Sequence, residues 1–291
     1  MCARVALLGL IVLSSAFVSA GPGAERPPTQ EVKFGFYADR ELFQNRTFIF
    51  NDALTRRISE IGNRVAAASG RPEVTYTFRV VNDPTMNIYA ASGGFVYINT
   101  GLLDILETDD ELAAVLGHEI GHVRQKHQIK FLQSAEQSRV GGALAGVALG
   151  IALGAAAGAA TAPSTPSYYS PSYSYQQQVS SQMTDLGVKA GMALGSAMSA
   201  SMIMGYSRAQ ELEADGLAVR YTKETGYDPN ALIRVFKRLA TIRDNLKLNQ
   251  ENYISSLINA QPGLEERIKQ AETAVTKLTS AKDGEKKERK R

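Results

Sequence analysis

The chain has 291 residues, 44% of them hydrophobic, and a net charge of only +3. That is enough apolar chain for one sizeable core, or one domain with an appendage, and too little positive charge for nucleic acid to be the main partner. The single cysteine, Cys2, sits at the extreme N-terminus, so no disulfide framework and no thiol chemistry are expected.

Residues 1–20, MCARVALLGLIVLSSAFVSA, read as a signal peptide. Arg4 supplies the positive end, Val5 to Leu13 the apolar stretch, and Val18-Ser19-Ala20 a small-residue cleavage site. A retained membrane anchor is the alternative, for which the apolar stretch is short. Cys2 does not follow a lipid-attachment box. An exported chain of this kind points to a periplasm-like space, with membrane attachment left open.

Residues 21–50 read as an N-terminal extension, ahead of a domain over 51–275. Leu54, Ile58, Ile61 and Val65 recur at helical spacing, with Gly70 as a stop. VTYTFRVVND alternates as a strand does before a turn at Asp83-Pro84, and GGFVYINTGLL gives a short β-rich run that returns to helix. A long helix follows, with Thr108 as N-cap, Glu111 as its capping-box partner, and Asp109 and Asp110 complementing the helix dipole.

From Val140 to Thr184 there is no charged residue. Gly142, Gly146, Gly150, Gly154 and Gly158 form a stripe at every fourth position, and Gly187, Gly191, Gly195 and Ser199 form a second. Such stripes let another backbone approach closely, so residues 140–206 read as a Gly/Ala-rich helical hairpin, interrupted by a Pro/Ser/Tyr-rich linker at 163–182. Two placements are open. The hairpin is either buried or at a membrane surface, or it spans the bilayer, for which Val140 to Ala162 is long enough although poor in large apolar residues. Downstream, SRAQELEADGLAVRYTKETG reads as a helix ended by Gly226, and Asp228-Pro229 opens the next, with Ala231, Leu232, Val235, Phe236 and Leu239 as its buried stripe. A last helix from Pro262 carries Leu264, Ile268, Ala271 and Val275, and the basic end at 276–291 reads as a solvated, frayed tail.

All three histidines lie in the ten residues HEIGHVRQKH, on the long helix. His118 and His122, four apart, share one helix face, so both imidazoles reach one metal ion. Glu119 stands beside them, placed to take a proton from the attacking water; this is the H-E-x-x-H pattern of zinc proteases. His127 falls about 180° around the helix from His118, which points it away from the metal unless the helix breaks and gives it a packing, capping or ligand-supporting role. A third ligand must come from elsewhere. In QELEADGLA, Glu211 and Asp215 share a face while Glu213, about 200° from Glu211, faces away. Glu211 is the expected third zinc ligand. Asp215 can accept a hydrogen bond from the far nitrogen of a ligating histidine.

HEIGH, then SRAQELEADGLA after a long apolar interval, then GYDP, resembles the M48 family of zinc peptidases, which includes HtpX, the CAAX prenyl proteases and the Oma-type and periplasmic quality-control enzymes. VVNDPTMNIYAASGGFVYINTGLL is similar to that family's segment ahead of the zinc helix. The resemblance covers about Asn51 to Ile268 and implies an α+β, mostly helical, gluzincin-type fold with a small sheet beside the H-E-x-x-H helix. It also implies one zinc ion per subunit held by His118, His122 and Glu211, with Asp215 supporting. Strands around Tyr89 to Ser92 and Phe95 to Ile98 would pair with extended substrate, making Tyr89, Ala90, Ala91, Phe95 and Tyr97 candidate substrate-binding positions. One departure stands out: the family's His-Pro before the last helix is Gln261-Pro262 here.

The expected activity is a zinc endopeptidase of the bacterial envelope acting on unfolded or misassembled envelope proteins, with possible membrane contact through 140–206. Glu119 is the general base, and Tyr206 or Arg208 the candidate donor to the transition state, against a plainer capping or packing role for both. The competing classes are a zinc-stabilised chaperone-like module that binds without cutting, and a structural membrane-hairpin protein whose metal only locks the fold.

Overall fold

The computed structural model describes residues 30–131, 206–245 and 263–288. The leader, the glycine-striped segment with its linker up to residue 205, and Gln261-Pro262 lie outside them, as do the expectations placed there. In chain order the elements are α1 (Gln30–Asn45), β1 (Phe48–Ile49), α2 (Asp52–Ala67), β2 (Thr77–Val81), β3 (Ile88–Ala91), β4 (Phe95–Asn99), α3 (Thr100–Leu103), α4 (Asp109–Arg124), α5 (Arg208–Glu224), α6 (Ala231–Asn245) and α7 (Leu264–Glu288). The class is α+β and mostly helical, with one small sheet.

That sheet has four strands in the order β1-β2-β4-β3. β2 and β4 run parallel, while β3, made between them, lies on the far side of β4 and pairs with it antiparallel. The hairpin between β3 and β4 turns at Ser92-Gly93-Gly94, where both glycines have positive φ (80° and 99°). Side chains alternate across the sheet as a period of two requires. Phe78, Val80, Ile88, Ala90, Val96 and Ile98 face the main core under α2 and α4, whereas Val81, Ala91, Phe95 and Tyr97 face α1. Both faces being covered, every residue of β4 is buried.

Residues 30–49, read from sequence as an extension, are thus part of the packed domain. α1 closes one face of the sheet, and β1 pairs with β2 at its edge. Two partly buried ion pairs fix α1: Arg79 forks onto Asp39 at 2.8 and 3.0 Å, and Arg71 onto Glu31 at 2.9 and 3.0 Å.

α2 begins at Asn51, whose side chain accepts from the Leu54 N–H at 3.0 Å, and stops before Gly70, which has φ 70°. Its Gly62 lets the Phe78 ring lie against the helix backbone, for a Cβ there would come within 2.2 Å of that ring. α4 is the central helix. Every residue from Glu111 to Val123 is buried. Thr108 caps it through the Glu111 N–H at 3.2 Å, but the reciprocal half of the expected capping box does not form. The Glu111 carboxylate instead accepts from the Glu107 N–H and forks with Arg238 of α6, a charge pair stronger than a cap contact.

α5 lies along α4 at close range. Gly117 and Gly121 on α4 meet Ala214 and Ala218 on α5, where an added Cβ would sit 3.4 Å from either alanine Cα. Small residues at i and i+4 on both helices make this seam, and it sets the distance between the histidines and the acidic face of α5. The α6 stripe Ala231, Leu232, Val235, Phe236 and Leu239 is buried throughout. α7 continues to Glu288, so the stretch expected to fray is helical there, in keeping with its high share of Lys and Glu. Among the described residues no helix is long and apolar enough to cross a membrane.

Candidate metal centre

Helical phase on α4 brings His118 and His122 to one face, with the two Nε2 atoms 2.9 Å apart. The start of α5 is fixed by a reciprocal capping box between Ser207 and Gln210, which places Glu211 one turn in. Its carboxylate oxygens lie 3.5 Å from His118 Nε2 and 3.8 Å from His122 Nε2. One donor atom from each of the three falls within 4.8 Å of the others, and all three residues are buried. Four-coordinate zinc with nitrogen ligands at about 2.0–2.1 Å would separate its donors by roughly 3.3 Å, so shifts of about half an ångström at most would fit the set to such an ion. Two histidines and a glutamate form the donor set of a gluzincin-type site.

The far nitrogens are also held. His118 Nδ1 lies 2.9 Å from Asp215 Oδ1, and His122 Nδ1 lies 2.9 Å from His127 Nδ1. A proton on each Nδ1 leaves each Nε2 lone pair free for an ion. His127 reaches His122 because the helix breaks: α4 ends at Arg124, Lys126 takes φ 55°, and helix resumes at His127. His127 Nε2 lies 3.2 Å from Glu213 Oε2. Glu213, on the side of α5 away from Glu211, also accepts from Gln125.

Sequence reasoning missed Arg267. This α7 residue is fully buried against the centre. Its guanidinium forks onto Asp215 at 2.7 and 2.9 Å, lies 3.3 Å from Glu211, and packs over the Phe236 ring at 4.5 Å. The signal was present, since Arg267 lies three after Leu264 and four before Ala271, on the buried stripe itself.

Charge inside the centre supports a dication. Glu119, Glu211 and Asp215 bring three buried carboxyl groups against one buried guanidinium, so a dication would be balanced once all three are ionised and both rings neutral. With the protein's own charges alone, burial pushes the Glu119 carboxyl up to about 8, although a backbone hydrogen bond from Ala90 works against it. Burial raises the Glu211 carboxyl too, but His118, His122 and Arg267 outweigh burial and bring it down to about 2. Burial disfavours the charged His118 ring, yet Asp215 and Glu211 outweigh it and lift that ring to about 9. Two carboxylates so close are pushed in opposite directions, the pattern of a base beside a ligand.

The remaining candidates separate. Tyr206 stacks on His122, rings 4.1 Å apart and 20° from parallel. Arg208 does not join the site; its side chain is 62% exposed and pairs with Glu266 of α7, which captures the guanidinium in a forked pair. Ala90 faces the α4 side of the sheet, toward the helix that carries Glu119. Tyr89 stacks on Tyr97 on the opposite face, at 5.2 Å, and Ala91 lies on that face as well. Phe95 and Tyr97 belong to β4, which has strands on both sides, so that segment cannot pair with a peptide backbone as expected. The Tyr97 hydroxyl instead donates to Asp39 at 2.8 Å. Of the two segments only β3 is an outer strand among the described residues.

Comparison with known proteins finds proteases among the chain's relatives. A putative beta-barrel assembly-enhancing protease of Vibrio cholerae is 30% identical over 214 residues, 72% of this chain and 38% of that protein. The beta-barrel assembly-enhancing protease of Yersinia pestis is 31% identical over 123 residues, 42% of this chain and 25% of that protein. The mitochondrial metalloendopeptidase OMA1 of Schizosaccharomyces pombe is 36% identical over 73 residues, 25% of this chain and 22% of its own. The chain therefore matches well under half the length of each of these relatives. The model of Peptidase family M48 matches residues 52–275, from the first residue of α2 into α7. Because that match takes in more than half of the sequence together with every donor of the candidate metal centre, the chain belongs to peptidase family M48.

Proposed function

We propose that the protein is a zinc-dependent endopeptidase of the bacterial envelope, acting in the periplasm on unfolded or misassembled envelope proteins. The observation that carries this reading is the buried convergence of His118, His122 and Glu211 with Glu119 on the next residue of the same helix. Relatives named as beta-barrel assembly-enhancing proteases support the envelope setting, as does the leader-like N-terminus. Contact with a membrane through residues 140–206 belongs to the same proposal.

His118, His122 and Glu211 would hold the ion, with Asp215 and His127 orienting the two rings. When bound, zinc polarises a carbonyl and makes water more acidic. Glu119 then takes a proton from the attacking water and returns it to the leaving amine, a task suited to a carboxylate that burial makes a stronger base. Tyr206 is the better candidate for a transition-state donor. Burial holds its hydroxyl protonated, and its ring lies against His122 at the centre, whereas Arg208 is engaged elsewhere. An extended substrate would add to the outer edge of β3, where Ala90 faces the helix that carries Glu119.

Glu119→Gln is the test. With zinc content and melting temperature preserved, hydrolysis of an unfolded protein such as casein should fall by about 10²- to 10⁴-fold. Full activity in the zinc-loaded variant would sink the assignment. Chelator-sensitive binding of unfolded protein, with no cleavage by the wild type, would favour the chaperone-like reading instead.

A further inference from the structure

α7 enters the metal centre through one residue. Arg267 is fully buried; its two carboxylate partners, Asp215 and Glu211, sit on α5, and it also lies 3.4 Å from His118 Nδ1 on α4. A buried guanidinium without partners is strongly destabilising. α7 can therefore dock only where those two carboxylates are in place. The converse also holds. Glu211 and Asp215 lie one turn apart on α5, and the Arg267 guanidinium contacts both, at 3.3 Å and at 2.7 and 2.9 Å. The fork onto Asp215 fixes the carboxylate that in turn holds His118 Nδ1 at 2.9 Å.

We propose that Arg267 is a positioning residue which holds Glu211 and Asp215 in register with His118, so that docking of α7 and loading of the metal site are one coupled event. The inference rests on the metal-site part of the proposed function and not on proteolysis. Its chemistry depends on the planar fork. A lysine keeps the charge but has no planar fork to take both Asp215 oxygens while a third nitrogen reaches Glu211. Two effects of opposite sign meet at this position. The guanidinium orients the ligands, which favours the ion, and its own charge repels the ion. Arg267→Lys removes the first and keeps the second, and Arg267→Met removes both.

The experiment measures zinc affinity by competition with a chromophoric chelator, well below the melting temperature, for the wild type and both variants. In parallel, hydrogen–deuterium exchange of the α7 amides is followed in the wild type with and without zinc. Arg267→Lys should bind zinc at least tenfold more weakly, the range in which residues supporting metal ligands act. Zinc should also slow exchange across residues 264–271 of the wild type, because coupling is reciprocal. Unchanged affinity in Arg267→Lys, or α7 exchange indifferent to zinc, would each overturn the proposal, and Arg267→Met against Arg267→Lys gives the size of the charge repulsion alone. The wild-type measurement decides even if neither variant folds. Zinc binding with coupled α7 protection but no proteolysis would defeat the proposed hydrolysis and leave this inference standing.

Discussion

His127 Nδ1 lies 2.9 Å from His122 Nδ1, although the two residues are five apart and an unbroken helix would turn them to different faces. The contact exists because Lys126 adopts a left-handed conformation, with φ 55°, between α4 and the next helical turn. Glu213 accepts from His127 on the other side, so a chain of hydrogen bonds runs from a half-exposed carboxylate to a metal-facing ring.

That chain predicts a graded effect on metal binding. His127→Ala should weaken zinc binding by about tenfold to a hundredfold, the usual result of removing a group that orients a ligating histidine. Glu213→Gln should weaken it less, because that carboxylate is 45% exposed and water can replace it. Chelator competition gives both numbers. Wild-type affinity in His127→Ala would show that the contact is packing alone.

Gly121 makes the second prediction. A Cβ here would lie 3.4 Å from the Ala214 backbone and from Leu217 Cβ, tight yet short of collision. Gly121→Ala should be close to neutral, since the helix-propensity gain of about 1 kcal/mol offsets the crowding. Gly121→Leu must part α4 from α5, at about 1–3 kcal/mol for overpacking, and would carry Glu211 away from the histidines. Thermal melts should show a small change for the first and a clear loss for the second. Zinc affinity should fall only in the second.

The same region shows what a single sequence reveals. His118, Glu119, His122, Glu211 and Asp215 were legible because they lie on uninterrupted helices, where residue spacing fixes direction. His127 was half legible: its phase was read correctly for a continuous helix, and a non-glycine residue at positive φ carries no local signal. Arg267 was passed over because a charged residue is ordinarily assigned to the surface, even at an apolar phase. Its burial depends on Asp215 and Glu211, more than fifty positions earlier. The order of the sheet was hidden for a similar reason. Nothing local tells that β4 inserts between β2 and β3, and this alone removes Phe95 and Tyr97 from the substrate edge.

Acid stability should depend on Glu111. Burial pushes this carboxyl up, but hydrogen bonds from Arg238 and the Glu107 N–H, with the charges of Arg238 and Arg234, outweigh burial and hold it below its ordinary value. A carboxyl lowered in the native state binds protons more readily when unfolded. Its contribution is therefore present above the unfolded value of about 4.3 and is lost as pH falls through the lower native value. Glu111→Gln should melt below the wild type at pH 7, and the gap should narrow as pH drops under about 4. A gap that stays constant down to pH 3 would count against the Glu111–Arg238 pair as the source.

The outer edge of β3 makes the last prediction. The Asn99 N–H bonds the Asn87 carbonyl at 3.0 Å, and the antiparallel alternation that follows from this pair turns the Ala90 N–H away from β4. Backbone groups alternate along a strand, which turns the N–H of Tyr89 inward to the ladder with Tyr97. Proline removes one N–H and is tolerated in a strand only where that N–H faces outward. Ala90→Pro should therefore leave the hairpin and the zinc site intact while hydrolysis of a peptide falls, through loss of an outward N–H with which substrate would pair. Tyr89→Pro should break the ladder and lower the melting temperature. The pair separates an edge that binds substrate from one that only builds the sheet. Undiminished kcat/KM in a folded, zinc-loaded Ala90→Pro variant would remove β3 from the proposed substrate path.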